Sequence, residues 1–143
     1  MENIISVVAE NFKKNAIAFF QNNPSISDIE QFSAKEIRKA MRELTAAYAQ
    51  LLDKSIVEAK AERKMAGLKI VRRNDTRRIL TGFGDVAYQR SYYQLKDGTY
   101  GYPVDAALGV SSYQRISESV GTKAVTAALT DSFSKAAMIS ANG

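Results

Sequence analysis

The 143-residue sequence contains no cysteine and no histidine. Without cysteine the chain has no disulfide and no thiol nucleophile, and without histidine it has no imidazole base and lacks a ligand that most zinc and haem sites use. Carboxylates are then the groups that remain for metal binding or acid–base catalysis. Because the sequence also has no carboxylate cluster and no glycine-rich phosphate loop, we expect that the chain is not an enzyme.

Long apolar runs are also missing. No stretch approaches the roughly 20 apolar residues that a membrane span needs, and the first twenty residues have no basic segment followed by an apolar one. The hydrophobic fraction of 45% and the charged fraction of 24% are typical of globular proteins. We therefore expect a cytoplasmic protein without membrane or small-molecule partners, built as one small domain or as a helical arm with a small domain.

Positive charge is concentrated in one segment. The chain carries a net charge of +5, but residues 60–90 alone hold nine basic and three acidic residues, and the rest of the chain sums to −1. A basic segment of this kind favours an anionic partner.

The first half of the chain has helical periodicity. Apolar residues recur at helical spacing over residues 3–21, and Pro24 follows where this pattern stops. A long helix is predicted to run from the next capping signals to about Met65, with Gly67 placed to end it. The capping signals are two serine–glutamate boxes, Ser27 with Glu30 and Ser33 with Glu36.

The long predicted helix carries a narrow apolar stripe. Its residues alternate at spacings of four and three, and Ser55 interrupts the series. Either the first helix folds back along the stripe as a helical hairpin, or the stripe pairs two copies of the chain as a coiled-coil homodimer. The residues of this stripe, the candidate oligomerisation surface, are Ile37, Met41, Leu44, Tyr48 and Leu51.

The middle of the chain alternates as β-strands do. Strands are predicted at 69–73 and 76–83, separated by a turn at residues 74–75, because Asn and Asp tolerate left-handed geometry. Gly84 suits the first central position of a type II′ hairpin, and Gly98 suits the positive φ of another. We expect a three- or four-stranded antiparallel meander.

This predicted sheet holds five of the seven tyrosines next to the arginines. The rings either pack on the sheet with their hydroxyls at the rim, or contact a nucleic acid together with the guanidinium groups; both hold if one face packs and the other is basic. Arginines on both sides of a tight turn would crowd at one end of a ribbon and repel unless an anion binds, and a two-stranded ribbon fits a major groove. The candidate DNA-contacting residues are Lys69, Arg72, Arg73, Arg77, Arg78 and Arg90, with Tyr88 and Tyr92 stacking or packing.

The last third is predicted to be helical. A short helix starts at Pro103 and stops at Gly109, Ser117 can cap a second helix, and Ser132 can cap a third that reaches the end of the chain. A helix, a tight break and another helix are typical of the opening of a helix-turn-helix, here without its recognition helix. The acidic residues of this half stand alone at turns or helix starts, and we interpret them as turn and cap residues rather than metal ligands: Asp85, Asp97, Asp105, Glu118 and Asp131.

Four segments, "TGFGDVAYQRSYY", "YGYPVDAALGV", "YQRIS" and "SFSKAA", occur in this order in the second half of the chain. Together they resemble the N-terminal region of bacterial insertion-sequence transposases of the Lre type. The resemblance covers about half of the chain, from about Thr76 onward, and the order of the segments makes it fairly specific. The first half matches that family only in its amphipathic helical character.

The resemblance implies a DDE-type transposase, which cuts and joins DNA with divalent metal ions such as Mg²⁺ held by a carboxylate triad on an RNase H-like domain. In that family the catalytic acids lie downstream of the matched region, so none is carried over and no cofactor is expected in this chain. The chain then looks like the N-terminal fragment of a transposase, with parts that handle DNA but without the chemistry.

The predicted fold class is α+β, with a helical arm at residues 1–66 and a β-meander with C-terminal helices at residues 67–143. The leading hypothesis is a fragment that binds double-stranded DNA and contributes to recognition of element ends during transposition. The alternatives are a helical oligomerisation module and an inactive remnant of a mobile element.

Overall fold

The computed structural model describes the backbone of residues 1–142 and the side chains of residues 1–130. It confirms the predicted α+β class: long N-terminal helices precede a three-stranded antiparallel sheet, and further helices follow the sheet. The elements are α1 (Glu2–Phe20), α2 (Ile26–Glu58), α3 (Lys60–Ala66), β1 (Lys69–Thr81), β2 (Gly84–Gln94), β3 (Tyr100–Gly101), α4 (Pro103–Ala107) and α5 (Glu118–Asn142).

Helices α1 and α2 form a hairpin as predicted, but α1 packs on the side of Phe32 and Glu36 rather than along the apolar stripe. The ring of Phe19 stacks on Phe32 with 4.1 Å between ring centroids, and Phe12 lies 6.4 Å from Phe32 on the same side. Asn15 Nδ2 donates a hydrogen bond of 3.3 Å to the Glu36 carboxylate. These contacts hold α1 against the N-terminal half of α2, so α1 covers one side of that half.

The start of α2 differs from the prediction. Ser25 accepts a hydrogen bond from the Asp28 N–H at 3.1 Å, and the Asp28 carboxylate accepts from the Ser25 N–H at 3.0 Å. This reciprocal box starts the helix at Ile26, so the predicted boxes at Ser27 and Ser33 are wrong because both serines lie inside the helix.

The end of the long helix follows the prediction except for one break. Ala59 leaves helical geometry with φ −80° and ψ 62°, which separates α2 from the short α3. Gly67 then takes the left-handed conformation at φ 73° and ends α3, as predicted. The second half of α2 packs on the sheet, where Ala49 is fully buried.

The first strand corrects the predicted turn at residues 74–75. β1 runs without interruption from Lys69 to Thr81 and pairs with β2 along its length. Asn74 does take positive φ, at 61°, but the strand register only shifts there, as in a β-bulge. The cause is the length of β2, which at 11 residues reaches both halves of β1. The basic residues therefore spread along one edge strand instead of crowding at the end of a ribbon.

The hairpin between β1 and β2 turns two residues earlier than predicted. Thr81 pairs with Gly84, so Gly82 and Phe83 form the turn. The Thr81 hydroxyl donates to the Gly84 carbonyl at 2.7 Å and accepts from the Phe83 N–H at 3.3 Å, which fixes this register. The other predicted hairpin is confirmed, since Gly98 has φ 85° between β2 and β3.

A small core joins α2, the sheet and α4. It consists of buried apolar residues with half-buried neighbours from α2 and from the segment after α4. A polar contact adds to it: the buried Asp53 of α2 accepts from the Ser91 N–H at 2.7 Å and from the Ser91 hydroxyl at 3.0 Å. Ser91 lies on β2 opposite the register shift of β1. The Asp53 carboxylate therefore accepts a hydrogen bond from a backbone N–H at the point where the pairing of β1 with β2 is irregular. The core residues are Ala49, Ile79, Val86, Tyr88 and Val104.

The segment before α5 lies along the end of β1. Leu80 N–H donates to the Arg115 carbonyl at 2.9 Å, and Ser117 N–H donates to the Leu80 carbonyl at 2.8 Å. The Ser117 hydroxyl accepts from the Val120 N–H at 3.2 Å, which confirms its capping role. Beyond it α5 is continuous, so the described backbone has no break before Ser132 and no turn for a helix-turn-helix there. The Thr130 hydroxyl donates to the Thr126 carbonyl at 2.9 Å, and the side chain of Ser132 lies outside the described residues.

Candidate nucleic-acid interface

β1 presents a row of exposed basic side chains. The strand carries five basic residues and one acidic residue, Asp75. Arg77 is half-buried, and the other four basic side chains are exposed. We call these four the β1 basic surface: Lys69, Arg72, Arg73 and Arg78.

Within the β1 basic surface, Arg72 is the most constrained. Its Nη2 lies 3.0 Å from Asp75 Oδ2, and its guanidinium stands 4.5 Å from the centroid of the Tyr92 ring. The hydrogen bond from Arg72, with another from Tyr102, holds the pKa of the Asp75 carboxyl below its usual value. Among the described side chains, neither Arg73 nor Arg78 has an acidic partner within 4.0 Å. Most of the charge on this surface is therefore not neutralised by neighbours in the described part of the chain.

Arg77 holds a loop. Its guanidinium donates to the carbonyls of Ser111 at 2.8 Å and Ser112 at 3.0 Å, and also to the carbonyl of Gln114. Its Nη1 lies 3.6 Å from the Asp105 carboxylate. Since these acceptors occupy the donors of the guanidinium, Arg77 positions residues 111–114 and is not available for a phosphate.

Arg90 and Tyr88 lie inside the fold, with 4% and 3% of their surfaces exposed. Arg90 donates two hydrogen bonds to Asp105, of 3.0 and 3.1 Å, and a third to the Asp75 carbonyl at 3.0 Å. Its guanidinium lies 3.6 Å from the Tyr102 ring centroid. Arg90 and Tyr88 were both predicted to contact DNA, but burial keeps them away from the surface where a duplex would lie. Their role is to position other groups.

Asp105 is the acceptor at the centre of this buried network. It accepts from the Tyr88 hydroxyl at 2.7 Å as well as from Arg90, and it faces Arg77. Burial raises the pKa of the Tyr88 phenol, and the hydrogen bond to Asp105 raises it further. The interpretation of Asp105 as a helix-start residue missed this role. One signal was present, because β-alternation places Arg90 on the same face as Val86, and a buried arginine needs a buried acid.

Three of the other tyrosines, Tyr92, Tyr100 and Tyr102, form a cluster near β3. The Tyr92 ring lies 5.5 Å from the Tyr100 ring and 4.8 Å from the Tyr102 ring, measured between centroids. Tyr102 donates to the Asp75 carboxylate at 2.9 Å. A groove of about 700 Å³ opens beside these three rings and is also lined by Tyr113. The predicted stacking residue Tyr92 is half-buried and lies at this groove.

The apolar stripe of α2 lies on a third side of that helix. The sheet covers the side of Ala49 and Asp53, and α1 covers the side of Phe32 and Glu36. Helical periodicity places the stripe on the remaining side of the helix, away from both α1 and the sheet. Its side chains are exposed or half-buried, with Ile37 exposed to 59%; the others are Met41, Leu44, Tyr48 and Leu51.

The acidic residues show no metal centre in the described part of the chain, where no three potential ligand side chains come together. Asp97 accepts hydrogen bonds from the Thr99 N–H at 3.0 Å and the Thr99 hydroxyl at 2.6 Å, as a turn residue does. Asp85 is exposed, and Glu118 opens α5. The Asp131 side chain lies outside the described residues. Over the same described residues, no helix is long and apolar enough to cross a membrane.

A family model described as "Uncharacterised protein family (UPF0236)" matches residues 20–142. A UPF0236 protein of Caldanaerobacter subterraneus subsp. tengcongensis is 32% identical over 139 residues, which cover 94% of this chain and 29% of that protein. A second from the same organism is 37% identical over 98 residues, covering 68% of this chain and 21% of that protein. This chain thus spans less than a third of the length of these curated relatives. No solved structure matches.

Proposed function

We propose that this chain, which belongs to the uncharacterised protein family UPF0236, binds double-stranded DNA through the β1 basic surface and serves a transposase in recognising the ends of an insertion sequence. The observation that carries the proposal is the exposed row of Lys69, Arg72, Arg73 and Arg78 along one edge strand. At about 3.3 Å per residue the row extends over roughly 25–30 Å. Duplex DNA presents phosphates over such a length.

The shape of the β1 basic surface favours a polyanion over a small anion. A phosphate or carboxylate group is bound by donors that converge on one point, and in the described structure Arg77 and Arg90 converge on protein acceptors instead. The four exposed side chains are spread along the strand, with Arg72 on the face of Tyr92 and Arg78 on the opposite face, and they belong to a β1–β2 hairpin, a shape that enters a major groove. A row of phosphates fits this arrangement.

Two further points support a role in transposition. The sequence segments after Thr76 resemble Lre-type transposases. The name of the relative that is 32% identical combines eleven loci of one genome, and another relative combines four. Many copies of one gene in a genome are what a mobile element leaves behind. In this proposal the metal-dependent cutting of DNA belongs to regions of the relatives that this chain does not match.

The first prediction is a steep salt dependence of duplex binding. With about four phosphates neutralised, the observed affinity should fall roughly 100-fold between about 50 mM and 200 mM salt, because each contact releases counterions. Fluorescence anisotropy of a labelled 20-base-pair duplex titrated with the 143-residue chain measures this. Absence of binding at the lower salt concentration, or an affinity that does not change with salt, contradicts the proposal.

A second function is favoured by the exposure of the α2 stripe. An apolar row that neither α1 nor the sheet covers is suited to pair with the same row of a second copy. We predict a dimer by light scattering, and a monomer for the variant Ile37→Glu with Met41→Glu, because two charges would enter the apolar seam. Both side chains are exposed, so the fold should tolerate the change.

The matched control for the stripe places the same charges on another helix, with Val125→Glu and Leu129→Glu on exposed positions of α5. This control should keep the mass of the unaltered chain. If the unaltered chain is already a monomer at tens of micromolar, the stripe does not pair two copies and this second function is lost.

A further inference from the structure

Tyr113 is held out in solvent by a fixed loop. Its side chain is 96% exposed, yet residues 111–114 are fastened by the three hydrogen bonds from Arg77. Gln114 adds two more, accepting from the Ser111 N–H at 3.0 Å and donating to the Ile116 carbonyl at 2.9 Å. The backbone that carries this exposed ring is therefore held in place before any partner arrives.

Tyr113 stands between two recesses of different character. On one side is the groove of about 700 Å³ with the rings of Tyr92, Tyr100 and Tyr102, a size within the range of small-molecule sites. On the other side is a hollow of about 300 Å³ that Arg78 and Arg115 also line. The acid that borders the groove, Asp105, is already paired with arginines. The aromatic rings of the groove thus lie next to the positive charges of Arg78 and Arg115, which no acidic side chain in the described structure neutralises.

This combination fits unpaired nucleotides. Proteins bind single-stranded nucleic acids by stacking the bases on aromatic rings and holding the backbone with basic side chains. Within a base-paired duplex the base faces are stacked on one another, so exposed rings have no base face to contact. Tyr100 stacks one face on Tyr92 but keeps 55% of its surface exposed, and Tyr113 is 96% exposed, so both offer ring surface to a base. Arg78 belongs to the β1 basic surface as well as to the hollow, which makes the two surfaces continuous.

We propose that the tyrosine groove, formed by Tyr92, Tyr100, Tyr102 and Tyr113, binds unpaired nucleotides of DNA that extend from a duplex on the β1 basic surface. Arg78 and Arg115 bind the phosphates at the junction between the duplex and the unpaired nucleotides. The inference rests on the proposed function, since the unpaired nucleotides belong to the same DNA molecule whose duplex part lies on the β1 basic surface. The preferred DNA is then a duplex with a single-stranded extension or an opened end.

The test compares a blunt duplex with the same duplex carrying a four-nucleotide 5′ or 3′ extension that contains 2-aminopurine. One of the extended duplexes should bind about 10-fold or more tighter than the blunt duplex, and the 2-aminopurine emission should change as the base stacks. In the variant Tyr100→Ala with Tyr113→Ala this gain and the emission change should disappear, while affinity for the blunt duplex stays the same. Phe20→Ala, an exposed aromatic residue on α1, is the matched control and should behave as the unaltered chain.

The outcomes separate the two proposals. If the blunt duplex binds but the extensions add nothing, the tyrosine groove is not a nucleotide site and the proposed duplex function stands. If the extensions help but the double tyrosine variant keeps the gain, the unpaired bases bind elsewhere and the inference is overturned. If no DNA binds at about 50 mM salt, both proposals fail.

Discussion

Asp105→Asn should destabilise the chain by about 3–5 kcal/mol, the largest effect on stability that we expect from a single isosteric change. Asp105 is 5% exposed, and its carboxylate forms an ion pair with the buried guanidinium of Arg90. The guanidinium of Arg77 also lies close to this carboxylate. Asparagine keeps the shape but removes the negative charge, so the Arg90 charge is left buried without compensation. Urea unfolding followed by circular dichroism measures the free energy of unfolding.

Two further variants make this result specific. Asp85→Asn removes a carboxylate that is exposed on the neighbouring part of β2, and its unfolding should be close to that of the unaltered chain. The double variant Arg90→Leu with Asp105→Leu should recover part of the loss, because it removes the Arg90 charge together with its partner and leaves Arg77 with its carbonyl acceptors in residues 111–114. A free energy of unfolding for Asp105→Asn within about 1 kcal/mol of the unaltered chain would show that the network does not hold the sheet to α4.

Replacing the β1 basic surface with glutamine should reduce the affinity for duplex DNA at low salt by about 100-fold or more. The variant Lys69→Gln, Arg72→Gln, Arg73→Gln and Arg78→Gln removes the four exposed positive charges of this surface, of which Asp75 already partly offsets that of Arg72. All four side chains are exposed, so the free energy of unfolding should change little. Equilibrium binding by anisotropy, with urea unfolding of the same sample, separates lost contacts from a lost fold.

The control for this variant removes the same number of charges from the helical arm. Lys13, Lys14, Lys35 and Arg38 are exposed on α1 and α2, and changing them to glutamine lowers the net charge by the same amount. If binding depends on the β1 surface, this arm variant keeps most of its affinity. If both variants lose affinity equally, only the total charge matters and β1 has no special role.

Much of the fold could be predicted because its signals are local. The end of α3 at Gly67 and the turn at Gly98 each follow from residues adjacent in sequence. Asn74 shows the limit of such signals. Its preference for positive φ was recognised, but the same preference serves a turn or a bulge, and the length of the partner strand β2 decided between them.

The candidate site could be predicted only in part, for a similar reason. Composition identified the basic segment, and β1 does expose Arg73 and Arg78. The sequence could not tell these arginines from Arg77, which bonds carbonyls more than thirty residues away. Nor could it find Asp105, because its partners come from other elements and its own neighbours make it look like a helix-start residue. Long-range pairing of buried charges leaves little trace in local spacing.

The central claim is that the β1 basic surface contacts the phosphates of DNA, and the dependence of affinity on salt tests it most directly. The slope of log affinity against log salt concentration is measured for one duplex with the unaltered chain, the β1 glutamine variant and the arm variant. We predict a slope of about −3 to −4 for the unaltered chain and the arm variant, and a slope nearer to zero for the β1 variant. The same slope and affinity for the β1 variant as for the unaltered chain would contradict the account.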